Sequence, residues 1–278
     1  GGDIQVAAGA SFTDTGGAIS IISSSAGEMG SGALSLKTEG SNELIQSGSI
    51  NMKTGTTKYV DQSSGALQIS TGVAVEGASG DISLSIGITN TNIETGSNVM
   101  ISAGNMVDTT GGSVIMQAGD AKASGDFRVG GAIAIQSDNG GTNGQSGGVL
   151  VSTGTSSVSA SGSLELSTGS ATGGSSGSMH ITVGASELVA GGVNFLAGSN
   201  ELRTGGRVEF VSGGGEMASS GKVVVTTKNT LEDNADSGRL TIRTGTASGI
   251  DSGSIGVQVG SASSGADSYK AGDVLIEA

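Results

Sequence analysis

One short cassette recurs along the whole chain, and it constrains the fold more than any other feature. It is clearest in Gly162–Gly169, GSLELSTG. Leu164 and Leu166 share a parity, so on extended backbone they point to one face, and Ser163, Glu165 and Ser167 point to the other. About eighteen copies follow one another at roughly 15–16 residues, each opened by a glycine, from Gly2, Gly17 and Gly32 to Gly253 and Gly272. The first inward position runs Ile4, Ile19, Leu34, Ile50 through Leu164, Met179 and Val193 to Ile255 and Val274. The second runs Val6, Ile21, Leu36, Met52 through Leu166, Ile181, Phe195 and Phe210 to Val257 and Ile276. Neither column contains a polar residue, although only 35% of the chain is hydrophobic. That alternation is the signature of one half-covered strand per repeat.

A third inward position is small or β-branched, as at Thr38, Thr54, Thr71, Ala103, Ala118, Thr153, Thr168, Val183, Ala197 and Thr244, and a glycine usually follows it. It reads as a corner. The rest of each repeat is rich in Ser, Gly and Ala, with scattered apolar residues such as Val75, Val158, Leu188, Val189, Met217, Leu231 and Ile250. It is expected to return as a second, poorer strand. Longer spacings near 122–129 and 261–270 are expected to bulge as loops.

A strand of this kind cannot cover its own apolar face, but a stack of similar coils can. The sequence therefore predicts an all-β fold: a β-solenoid (β-helix) of about eighteen short 15–16-residue coils, on the order of 85 Å long at the ~4.8 Å strand spacing. The alternative is an antiparallel β meander, which needs long loops after every strand. Residues 1–278 read as a single repeat array. Both ends fall in phase with the repeat (GGDIQVAAG and AGDVLIEA), so a segment of a longer repeat protein is expected.

Composition narrows the function classes. The chain holds 53 Gly, no Pro, no Cys and no Trp, with 2% aromatics and a net charge of −13. That charge disfavours nucleic acid and anionic membrane as partners. No apolar run reaches the ~18 residues of a membrane-spanning helix, so no membrane insertion is expected. Without cysteine there are no disulfides or thiolate metal sites.

The cassette pattern resembles the Gly/Ser/Thr-rich GGxIxIxTG repeats of long secreted or surface proteins of algae and protists. A looser likeness is to filamentous-haemagglutinin-type β-solenoid adhesins, whose repeats are longer. The resemblance implies an extracellular or cell-surface location and a role in a fibre, coat or adhesive filament. It carries over no catalytic residue.

No site for chemistry assembles from the sequence. His180, the single histidine, lies between Met179 and Ile181 on the outward parity and reads as an exposed polar residue. A triad needs a base and an orienter, and a zinc site needs several N or S ligands. No catalytic, cofactor-binding or metal residue is therefore assigned, and the protein is not expected to be an enzyme. Asp3, Asp81 and Asp273 share a register but lie many coils apart, so surface solubility is the plainer reading and a calcium ladder, with Asp at fixed positions in every turn, the less favoured one.

The outward columns vary, and function is sought there. Met100, Ile115, Ala134 and Leu150 hold the outward position between the two core positions in four consecutive repeats, where other repeats carry Gln5, Ser20, Asn51 or Glu165. They form a candidate interface, or else lie under a loop of the chain itself. Arg207, Lys222 and Arg239 share an outward register in three successive repeats, with Arg203, Lys228 and Arg243 close by. This patch either pairs locally with Glu209, Glu216, Glu232 and Asp233, or receives an anionic partner: a sulfated or carboxylated polysaccharide, or an acidic face of another copy. Phe195 and Phe210, adjacent in register, are expected to pair in the core. None of about twelve asparagines opens an N-x-Ser/Thr sequon, which fits close packing of neighbouring surfaces.

The reading that unites these features is a structural extracellular solenoid that self-assembles into, or decorates, a cell-surface filament or coat. An ice-binding protein is the alternative, although its regular outward threonine rows are missing. A glycan-binding or glycan-active β-helix ranks below both.

Overall fold

The computed structural model describes residues 2–13, 15–24, 30–40, 47–58, 62–87, 96–107, 110–121, 129–141, 144–215, 219–230, 236–249, 251–261 and 272–277. The chain forms two units, Gly1–Gly147 and Gly148–Ala278. The boundary falls at the paired glycines that open a cassette, just ahead of Val149 and Val151.

The β-solenoid is not present. Among the described residues there is no strand and no helix, and no residue is buried, polar or apolar. The chain exposes 28851 Å². A folded chain of 26.6 kDa would expose about 10,700 Å², and the fully unfolded chain about 38,600 Å². Only about a quarter of the unfolded surface is removed, against about three quarters in an ordinary domain of this length.

The direction of the chain at each corner excludes a stack of coils. In such a stack each opening glycine would lie beside the previous opening glycine. Here it meets the third inward position, only nine or so residues earlier. A methyl placed on Gly17 would come 3.2 Å from the Ala8 Cβ, and one on Gly48 would come 3.3 Å from the Thr38 Cγ2. The same approach, within 4 Å, recurs at every opening glycine from Gly17 to Gly272 except Gly96. In Gly148–Ala278 the Gly206 N–H donates to the Gly198 oxygen at 2.8 Å, and the Phe195 and Phe210 rings pair edge to face at 6.0 Å. From the first pair to the second, one partner moves back along the chain and the other moves forward, so the chain reverses there.

The antiparallel meander does not form either. Among the described residues each junction carries at most one backbone hydrogen bond of this kind, and no ladder continues beyond it. The physical reason lies in the cassette. It supplies two large apolar residues and one small one, while its Ser/Gly-rich half supplies nothing to cover them. That half is not a returning strand: it bends at 75–77, 157–159, 172–174, 187–188, 201–203 and 248–249. Val75, Val158 and Leu188 on it are 93–96% exposed. Met217, Leu231 and Ile250 lie outside the described residues, as does most of 122–129 and 261–270.

The periodicity nevertheless survives as a gradient of exposure. The two inward columns range from 46% at Ile50 to 75% at Leu84, apart from Ile4 and Ile276 near the chain ends. The third position is covered further: Ser23, Ala103, Ala118, Ser137 and Ser212 are half-buried, and the larger Ile86, Val183 and Val259 remain 36–46% exposed. The cassette thus has a face, and nothing in the described residues closes over it. The Phe195–Phe210 pair forms as the sequence anticipates, but on this open face and not in a core.

Candidate functional site

The junctions are the most regularly built part of the molecule, and they come in two kinds. Where the third position is Ala and the opening glycine is doubled, the backbones touch. Gly17 N donates to Gly9 O at 2.8 Å, Gly112 N to Gly104 O at 3.0 Å, Gly131 N to Gly119 O at 2.9 Å and Gly206 N to Gly198 O at 2.8 Å. The preceding residues are Ala8, Ala103, Ala118 and Ala197. Serine corners behave similarly at two places: Gly32 N donates to Ser24 O at 3.1 Å and Gly221 N to Gly213 O at 2.9 Å. Where the third position is Thr, as at Thr38, Thr54, Thr71, Thr153, Thr168, Thr227 and Thr244, its nearest side-chain carbon lies 3.3–4.0 Å from the position a methyl would take on the facing glycine. No backbone bond forms there. The β-branched side chain holds the two segments apart, whereas a lone methyl lets N and O reach hydrogen-bond distance.

Of the candidate contact residues, Met100, Ile115 and Ala134 lie in Gly1–Gly147 and Leu150 in Gly148–Ala278. Met100, Ile115 and Leu150 are 82–88% exposed, so no loop among the described residues folds over them. Ala134 is exposed as well.

The basic patch lies wholly in Gly148–Ala278. Arg207 pairs with Glu209 at 2.8 Å, both side chains being largely exposed. The backbone of Arg203 is held in a turn, where the Asn200 Oδ1 accepts from the N–H groups of Leu202 at 2.9 Å and Arg203 at 2.7 Å. Lys222, Arg239 and Arg243 form no ion pair with a described acid, while Glu216, Glu232 and Asp233 lie outside the described residues. The consecutive exposed residues Arg243, Thr244, Gly245 and Thr246 border an open hollow of about 430 Å³.

Elsewhere there is little machinery. His180 is exposed, with its Nε2 2.9 Å from the Ser178 hydroxyl. Among the described residues no group of three His, Cys, Asp or Glu is placed to hold a metal ion. No helix among them is long and apolar enough to cross a membrane.

The outward registers locate the basic patch in the sequence, but the hollow is not legible there. The two kinds of junction could have been found from it. The pairing of Ala-Gly with Gly-Gly eight to twelve residues later, as in Ala8-Gly9 and Gly16-Gly17, is a visible signal. No protein-family model matches this chain, and no curated protein or solved structure resembles it.

Proposed function

We propose that the protein is a structural, non-catalytic repeat chain that associates side by side with further copies, as part of an extracellular or cell-surface fibre or coat. One observation carries this reading: two unbroken apolar columns that nothing in the described chain covers. At roughly 100 Å² per aliphatic side chain, the nine cassettes of one unit offer about 1,100 Å² of exposed apolar side chain. That exceeds the ~800 Å² per partner of a standard stable interface. The columns repeat at nearly constant spacing, so copies can engage in register along many cassettes. The GGxIxIxTG likeness to secreted and surface repeat proteins supports the same role and location, and the lack of N-glycan sequons fits close packing of copies.

The test is sedimentation and electron microscopy over a dilution series. The reading expects assembly that grows with concentration, with elongated particles at the high end. A chain that stays monomeric up to its solubility limit overturns it. Leu166→Asp with Ile181→Asp, two charges on one column, is expected to raise the concentration for assembly about tenfold or more, the cost of burying unpaired charge.

A further inference from the structure

We propose that Asn139–Gly140 is a site of spontaneous covalent modification, where Asn139 loses its side-chain amide and the backbone becomes partly isoaspartyl. This goes beyond the structural role and does not rest on it. Only two asparagines of the chain, Asn139 and Asn143, precede a glycine, and Asn139 is the one among the described residues. Asn139 is exposed and lies in no helix or strand. Its own N–H donates to the Asp138 Oδ1 at 2.7 Å. No described backbone group accepts from the N–H of Gly140. That nitrogen is therefore not tied into a hydrogen-bond ladder, and no Cβ on residue 140 shields it.

The reaction needs only the chain and water. Hydroxide takes the proton of the Gly140 amide, and the nitrogen attacks Cγ of Asn139. The N–Cγ bond forms, the Cγ–Nδ2 bond breaks, and the departing nitrogen takes a proton from water to leave as ammonia. A cyclic succinimide results. Water then opens the ring at either carbonyl. Cleavage of the N–Cγ bond leaves an aspartyl residue. Cleavage between that nitrogen and the backbone carbonyl carbon of residue 139 leaves a chain that runs through Cβ and Cγ, longer by a methylene. Both products add a negative charge beside Asp138, on a chain that already carries −13. The longer product also has to fit where backbones are already close. A Cβ on Gly140 would collide with the Gly144 carbonyl, and one on Gly144 with the Gly140 carbonyl. Between them Gly141 holds φ at 68°, a conformation open to glycine. The isoaspartyl form is therefore expected to separate Gly140 from Gly144.

The experiment stores the full chain at mildly alkaline pH and follows each asparagine by peptide mass spectrometry, with isoaspartate read by methyl transfer from an isoaspartyl methyltransferase. Conversion at Asn139 is expected to run about tenfold or more faster than at Asn51, Asn105 and Asn194, because Met52, Met106 and Phe195 carry the side chains that Gly140 lacks. The rate should rise with hydroxide, since the attacking nitrogen must lose its proton. Asn139→Gln, whose ring would be larger and closes far more slowly, is expected to lose the signal at 139. Asn139→Asp supplies the charge without the longer backbone. Amide exchange at Gly140 and Gly144 is expected to be faster in the aged wild type than in freshly made Asn139→Asp. Conversion at Asn139 no faster than at Asn51, or conversion confined to Asn143, overturns the proposal. So does an aged chain whose exchange at Gly140 and Gly144 matches that of Asn139→Asp.

Discussion

The alanine junctions and the threonine junctions do the same job with different reach. At Ala103–Gly112 and Ala118–Gly131 the chain doubles back until an amide meets a carbonyl at 2.9–3.0 Å. At Thr153–Gly162 and Thr168–Gly177 the corner side chain lies 3.7–3.8 Å from where a methyl on the facing glycine would sit, and no backbone bond forms. The closed junctions join an Ala corner to a doubled glycine, whereas the open ones carry Thr, with its extra methyl and hydroxyl, facing a single glycine. The difference shows that the small third position sets the distance of approach as well as the corner. At the closed junctions it also shows why glycine opens the cassette: at Gly206 a side chain would lie 3.2 Å from the Gly198 nitrogen and 3.3 Å from the Ala197 Cβ.

The comparison can be broken most strongly at the glycine itself. Gly206→Val is expected to abolish the Gly198–Gly206 bond and to separate Phe195 from Phe210. Amide exchange at residue 206 should then rise to the rate of an unprotected peptide. Gly245→Ala, on open backbone, should leave every junction unchanged. Exchanging corner types is expected to do less. Ala103→Thr should cost the Gly112 amide its bond, worth about 0.5–1.5 kcal/mol at most and less in a water-exposed setting, and so raise its exchange several-fold. The reciprocal Thr168→Ala should let Gly177 approach Gly169 and slow its exchange by a similar or smaller factor. If Thr168→Ala leaves Gly177 unprotected, the corner side chain is not what holds that junction open. Smaller still is the effect of Phe195→Leu, which removes an edge-to-face ring pair worth about 0.5–1.5 kcal/mol when fully packed. Here both rings are more than half exposed, so a change confined to the amides of that junction is expected. The least effect belongs to Arg207→Gln, which breaks an exposed pair with Glu209 of the kind worth ~0.2–1 kcal/mol. The loss should vanish when wild type and variant are compared in high salt.

The sequence marks which residues share a face, because parity along extended backbone is a local property. Ile50, Val193 and Val208 are less exposed than Val75, Val158 and Leu188, as the alternation requires. What covers that face is a non-local matter. Leu164 is as apolar in a coil, in a hairpin or against another molecule, so the same columns were compatible with a solenoid that the described residues do not contain. The basic patch was legible as a register of Arg207, Lys222 and Arg239. The hollow at Arg243 was not, since it depends on the path of Thr244–Thr246. Glu216, Glu232 and Asp233, the other suggested partners of the patch, lie outside the described residues. Gly96 was legible as irregular through its extra residue, and it is the junction at which the corner position is the bulky Ile86 and no approach within 4 Å occurs.

The one-bond junctions have a mechanical consequence. Each closure joins residues eight to twelve apart, from Gly9–Gly17 to Gly119–Gly131, and none is braced by a ladder. Opening one frees a loop of roughly 30–40 Å of extended chain without loosening the next. Pulled from its ends, an isolated unit would release these closures in small, independent steps and recoil by entropy, giving a soft response with no single yield point.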